Sequence, residues 1–183
     1  MIDVKKYIGL VFPLLLPYAF VFGMGGIVLV DGRIFERVFN GRFDIFLMCI
    51  CGLLVLSMAL TIVTAIVAIA GKWSAEEVAK AGMTVKLLHI PAYILIFMVG
   101  IWICVGMVIA PFMGILFLLF DCMVIFMTGI IGAAAAWRGY KEGTLNRTEM
   151  LLLAAGQFIF CVDVICVVVL YIMTGKKRSC SKG

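Results

Sequence analysis

Apolar and polar positions fall into long blocks along this chain. Runs of about 20 or more apolar residues, the length a helix needs to cross about 30 Å of hydrocarbon, alternate with short polar patches. The blocks predict five transmembrane helices, over 7–30, 45–70, 87–106, 112–136 and 150–173. The expected fold class is therefore all-α: a polytopic membrane helix bundle forming one domain over 1–174, followed by a basic, disordered tail over 175–183. The ten-residue alternating segments of a membrane barrel do not occur in the sequence.

Within the blocks, local signals refine the helices. Lys5 and Lys6 followed by an apolar stretch resemble a secretory leader, but the apolar run continues to Val30 and no small-residue cleavage site follows, so 7–30 is read as a span. Pro13 and Pro17, one turn apart, predict a kink there, and Gly23, Gly25 and Gly26 permit close helix approach. Ile34, Phe35, Val38 and Phe39 recur at helical spacing and predict a short helix lying in the interface. Ser74 and Glu77 form a capping-box pattern, which predicts a short amphipathic helix within the polar stretch 72–86. The uncharged segment 106–111 predicts a tight hairpin.

Two aspartates stand deep inside the apolar blocks. Asp121 lies in GILFLLFDCMVIFMTGIIGAAAAW and Asp163 in LLLAAGQFIFCVDVICVVVLY, whereas the other acids and every Lys and Arg can be placed outside the spans. Such a charge costs about 2.5–3.5 kcal/mol on insertion scales. Counted from the loop between the last two spans, the two side chains lie roughly 22 and 20 Å deep at 1.5 Å per residue. The two helices are antiparallel neighbours with the carboxylates at matched depth, and if these face each other one proton is shared; spacing alone leaves the rotation of each helix open. Gln157, Thr128 and the stripe Ser57, Thr61, Thr64, spaced along one face of the second span, complete a polar intramembrane site. Neither aspartate sits in the Gly-x-Gly-Asp pattern of membrane aspartyl proteases. Lys86, His89 and Tyr93, at i, i+3 and i+7, are expected to anchor the third span at the membrane edge, with His89 a candidate pH sensor.

Composition supports the membrane reading. The chain is 66% hydrophobic and 14% charged, against about 25% charged for a soluble domain. The net charge of +5 sits at the span edges, where cations meet lipid headgroups, and argues for no nucleic-acid partner. Six of the seven cysteines (Cys49, Cys51, Cys104, Cys122, Cys161, Cys166) lie in apolar runs, and no C-x-x-C or Cys/His cluster occurs, so neither metal nor other cofactor is expected. Orientation is undecided. Five spans would put Lys5, Lys6, Lys72, Lys80, Lys86, Arg138, Lys141 and Arg147 on one side, eight cations against seven.

Lys86, Leu87, Leu88, His89, Ile90, Pro91, Ala92 and Tyr93, then Phe120–Asp121, Gln157–Phe158 and Val162–Asp163, resemble uncharacterised small multi-pass membrane proteins of Gram-positive bacteria. The resemblance covers the C-terminal half. It implies a bacterial cytoplasmic membrane and no particular activity. No nucleotide loop, metal box or nucleophile–base pair appears in the sequence. The expected function is non-enzymatic: a binding or accessory subunit whose aspartate pair holds the bundle, with the lipid bilayer and either a membrane-protein partner or a second copy as its surroundings. The alternative is a small ion- or proton-coupled carrier using Asp121 and Asp163.

Overall fold

Lipid offers no partner to a peptide group, so long apolar segments satisfy their N–H and C=O groups internally and fold as helices. The computed structural model describes residues 4–28, 33–106, 110–159 and 162–180, with side chains described over 9–24, 36–70, 73–101, 114–159 and 162–175. The helices are α1 (Val4–Val28), α2 (Arg33–Phe39), α3 (Phe43–Val67, continued by a π turn over Ala68–Lys72), α4 (Ala75–Gly106), α5 (Ala110–Lys141), α6 (Arg147–Gly156) and α7 (Val162–Cys180). No strand occurs among the described residues, and the chain is an all-α bundle. Phe43–Ala70, Ala75–Ile101 and Gly114–Lys141 are long and apolar enough to cross a membrane. Gly9–Met24 and Val162–Gly175 are shorter apolar helices.

Two expected elements take a different form. The capping box at Ser74 and Glu77 is made in both directions, at 3.3 and 2.9 Å. The helix it opens is not a short separate one, because α4 runs unbroken to Gly106. No proline interrupts 75–86, and Gly82 packs against Val167 and Ile131, so nothing there stops the helix. Glu142, at the end of α5, accepts from the N–H of Ala75 at 3.0 and 3.2 Å and is itself held by Arg138 at 2.7 Å. A carboxylate thus meets the positive end of α4.

The stretch expected as one span over 150–173 is two helices that double back on each other, with Val167 against Gly82 and Leu170 in the cluster with Trp73 and Leu145. A capping box between Asn146 and Glu149 starts α6, which ends at Gly156. Bonds from the N–H groups of Gln157, Phe158 and Ile159 to carbonyls three residues back then form a tighter turn before α7 begins at Val162. Helix α7 reaches Cys180, so much of the tail expected to be disordered is helical. Helix α2 matches the expected short helix, followed by left-handed Asn40 and Gly41. Residues 107–109 of the expected hairpin over 106–111 lie outside the described residues, as does the packing around Gly25 and Gly26.

The buried side chains form two apolar clusters. Near the Trp73 end, Leu10, Val78, Ala79, Val85, Ile131, Ala135 and Leu170 pack together. Toward the other end, Leu16, Phe20, Phe46, Ile96, Phe117 and Phe120 do so, with Phe20 stacked on Phe120 at 4.0 Å. Between the two lie buried polar residues: Ser57 and Thr61 on α3, Lys86 and His89 on α4 and Thr128 on α5, met by Gln157 at the break and Asp163 at the start of α7. The bundle is apolar, polar and apolar in layers.

Candidate functional site: a buried ion pair at a helix break

The site begins with the start of α4. Because the helix opens at Ala75, Lys86 lies eleven positions inside it, about 16 Å from its end at 1.5 Å per residue. The break after Gly156 follows the ten residues of α6, about 15 Å along. The two meet. Lys86 Nζ lies 3.0 Å from Asp163 Oδ2, the side chains being 2% and 5% exposed. The same ammonium donates to Gln157 Oε1 at 2.8 Å and more weakly to the Gln157 carbonyl at 3.4 Å.

Small residues let the break tuck into the bundle. A Cβ added at Gly132 would collide with the Gln157 side chain, and one at Gly129 would come within 3.0 Å of the Gln157 carbonyl. A Cβ at Gly156 would strike Cys166 Sγ. Non-helical backbone at this depth is tolerated where protein covers it, and here α5 does so.

One turn beyond Lys86, His89 Nε2 lies 3.2 Å from the carbonyl of Pro13. A carbonyl only accepts, so Nε2 carries the proton. Pro17 has no N–H to give that carbonyl, which leaves it free for His89. Tyr93 continues the face, its ring 5.8 Å from His89, and the Tyr18 hydroxyl donates to the Leu88 carbonyl from α1.

Several sequence expectations are corrected. Lys86 and His89 are not anchors in the headgroup zone: they are 2% and 0% exposed, because the helix begins well before the expected membrane edge. The two aspartates do not pair. Asp121 stands twenty residues before the end of α5 at Lys141, about 30 Å along it, a different depth from the break. It is partly buried at an apolar groove of about 620 Å³ between α4 and α5, beside Tyr93, Phe97 and Leu118. Its Oδ1 has no hydrogen-bond partner.

The hydroxyls are buried as the stripe implies but bond neither aspartate. Thr64 donates to Leu60 at 2.8 Å, and Thr128 to Val124 and Ile125 at 3.1 and 3.2 Å, each on its own helix. Ser57 Oγ and Thr61 Oγ1 have no partner, and neither do His89 Nδ1 and Gln157 Nε2. The Lys86–Asp163 contact is the pairing sequence reasoning missed. The signal available for it was an unbroken helical pattern from the Ser74 cap onward. Among the described residues no group of His, Cys, Asp and Glu could hold a metal ion.

Fold and site together define a helical bundle with membrane-length helices and a charged, buried middle layer. Compared with known proteins, the chain matches no family model, no curated protein and no solved structure.

Proposed function

We propose that the chain is a non-enzymatic, multi-pass protein of a bacterial cytoplasmic membrane, a binding or accessory subunit whose buried Lys86–Asp163–Gln157 centre locks the α6–α7 pair onto α4. The observation that carries this reading is the 3.0 Å Lys86–Asp163 contact at 2% and 5% exposure. Paired buried charges set which helices meet and in what register, the role such pairs serve best. Span 1 is then most of α1, and α6–α7 is a re-entrant pair: from Asp163 beside Lys86, α7 runs back past Gly82, which faces Val167, to Leu170 in the cluster with Val78 and Trp73.

A second reading has its own support. Ser57, Thr61, His89 and Gln157 each keep a buried polar atom without a partner in the same layer as the ion pair. Buried unpaired polar atoms are where water, protons or small ions bind, which suits an ion- or proton-coupled carrier built on the helix break.

Flux measurement separates the two. Purified protein in vesicles is loaded with a pH- or potential-sensitive dye, and wild type is compared with Asp163→Asn. The lock predicts no flux from wild type and a destabilised variant. Flux in wild type that disappears in a variant of unchanged stability would replace the lock with the carrier.

A further inference from the structure

A second feature lies outside the polar layer, on the lipid-facing side of the α1–α4 seam. An apolar groove of about 320 Å³ runs between the two helices. Val11 and Leu14 from α1 and Val85 and Leu88 from α4 wall it, and Lys80 and Thr84 stand at one end. Val11 and Leu88 are 44% and 46% exposed, so the groove opens outward.

The charged end is at the right level for a headgroup. Ala75, where α4 begins, is level with Glu142, which is bonded to it. Trp137, Tyr140 and Lys141 lie within the same turn or two of α5, with Lys141 over the Trp137 ring at 5.2 Å. Aromatic rings and cations of this kind collect at a membrane–water boundary. Lys80 is five residues into α4, about 8 Å below its start, within reach of that boundary for a side chain that extends its ammonium outward. It is exposed, and no ion pair joins it to an acid among the described residues. Thr84 spends its hydroxyl on the Lys80 carbonyl at 2.9 Å, so the ammonium is the polar group on offer.

From this arrangement we infer that the groove is a binding site for one anionic phospholipid, its phosphate on Lys80 and one acyl chain along Val11, Leu14, Val85 and Leu88. Charge complementarity selects the headgroup, and the apolar walls, about 12 Å from Lys80 to Leu88, hold the chain. The site is independent of what the polar layer does.

The test is lipid retention by the full chain in nanodiscs of mixed phosphatidylglycerol and phosphatidylcholine, read by native mass spectrometry after mild delipidation. Wild type should keep phosphatidylglycerol in preference to phosphatidylcholine. Lys80→Glu should lower that preference at least about fivefold, the worth of one basic residue at an anionic surface. Lys141→Glu, a charge reversal at the same level but off the groove, should leave it unchanged. Val11→Trp, which fills the groove and keeps the cation, should also lower it. Soluble glycerol phosphate at millimolar concentration should not compete. Equal retention of the two lipids, an unaltered preference in Lys80→Glu, or an equal loss in Lys141→Glu would overturn the site. Competition by glycerol phosphate, or full retention in Val11→Trp, would overturn the acyl-chain part and leave a plain phosphate contact.

Discussion

Lys86 brings three N–H donors into the bundle, and Asp163 Oδ2, Gln157 Oε1 and the Gln157 carbonyl stand as three acceptors around them. Removing one member of such a group strands the other's charge, which costs about 3–5 kcal/mol, whereas replacing both with apolar groups of similar size is often neutral. Lys86→Met and Asp163→Asn should each lower stability by about that amount, and Lys86→Met/Asp163→Leu should recover most of it. Denaturant unfolding in detergent micelles, run as a double-mutant cycle, measures the coupling. Asp121 should behave in the opposite way. Its unpartnered Oδ1 gains nothing from the bundle, so Asp121→Leu should raise stability, by about 1 kcal/mol. A loss of similar size to that of Asp163→Asn would mean that Asp121 has a structural partner after all.

At the scale of elements, the break between α6 and α7 depends on close approach to α5. Gly132→Ala places a methyl group where Gln157 sits, and overpacking of this kind costs about 1–3 kcal/mol. The same methyl displaces the Gln157 side chain that Lys86 bonds, so its effect should shrink when Lys86 is already Met. Unfolding of the single and double variants shows whether the two are coupled. The other end of α4 rests on a different contact, the Glu142 carboxylate at the N–H of Ala75. Glu142→Ala should cost about 1 kcal/mol, in the range of a lost helix cap. Hydrogen exchange should speed up locally over the first turn of α4 and leave the Lys86 region as it was.

For the whole molecule, the consequence is topological. α3 and α4 are joined through Trp73 and Ser74 alone after the π turn, and α5 and α6 through residues 142–146. Both connections lie at the same end, tied by Glu142 and Ala75. Leu10 near the start of α1 and Leu170 in the second half of α7 pack in one cluster with Trp73 and Leu145, so both termini share that side. Reporter fusions at the two termini, and cysteine labelling at positions in 142–146, should then place both termini and the 142–146 loop on one side of the membrane. Termini on opposite sides would mean that α6–α7 crosses the membrane instead of doubling back.

Hydropathy determined much of this by itself. Blocks of apolar residues dictate helices because peptide groups must pair internally, and the local cap at Ser74 was legible from residue types three apart. The buried face of α3 was legible too, from the spacing of Ser57, Thr61 and Thr64. The sequence also singled out Asp163, Gln157, Lys86 and His89 as the residues to explain. Which of them meet was decided only in three dimensions. A helix beginning at Ala75 rather than near residue 87 moves Lys86 from the boundary into the middle layer, and a turn at Gln157 separates Asp163 from the depth of Asp121. Periodicity is a property of one helix. Depth and rotation between helices follow from where each one starts, stops and finds a glycine to press against, so the partner of a buried charge is settled by the packed bundle.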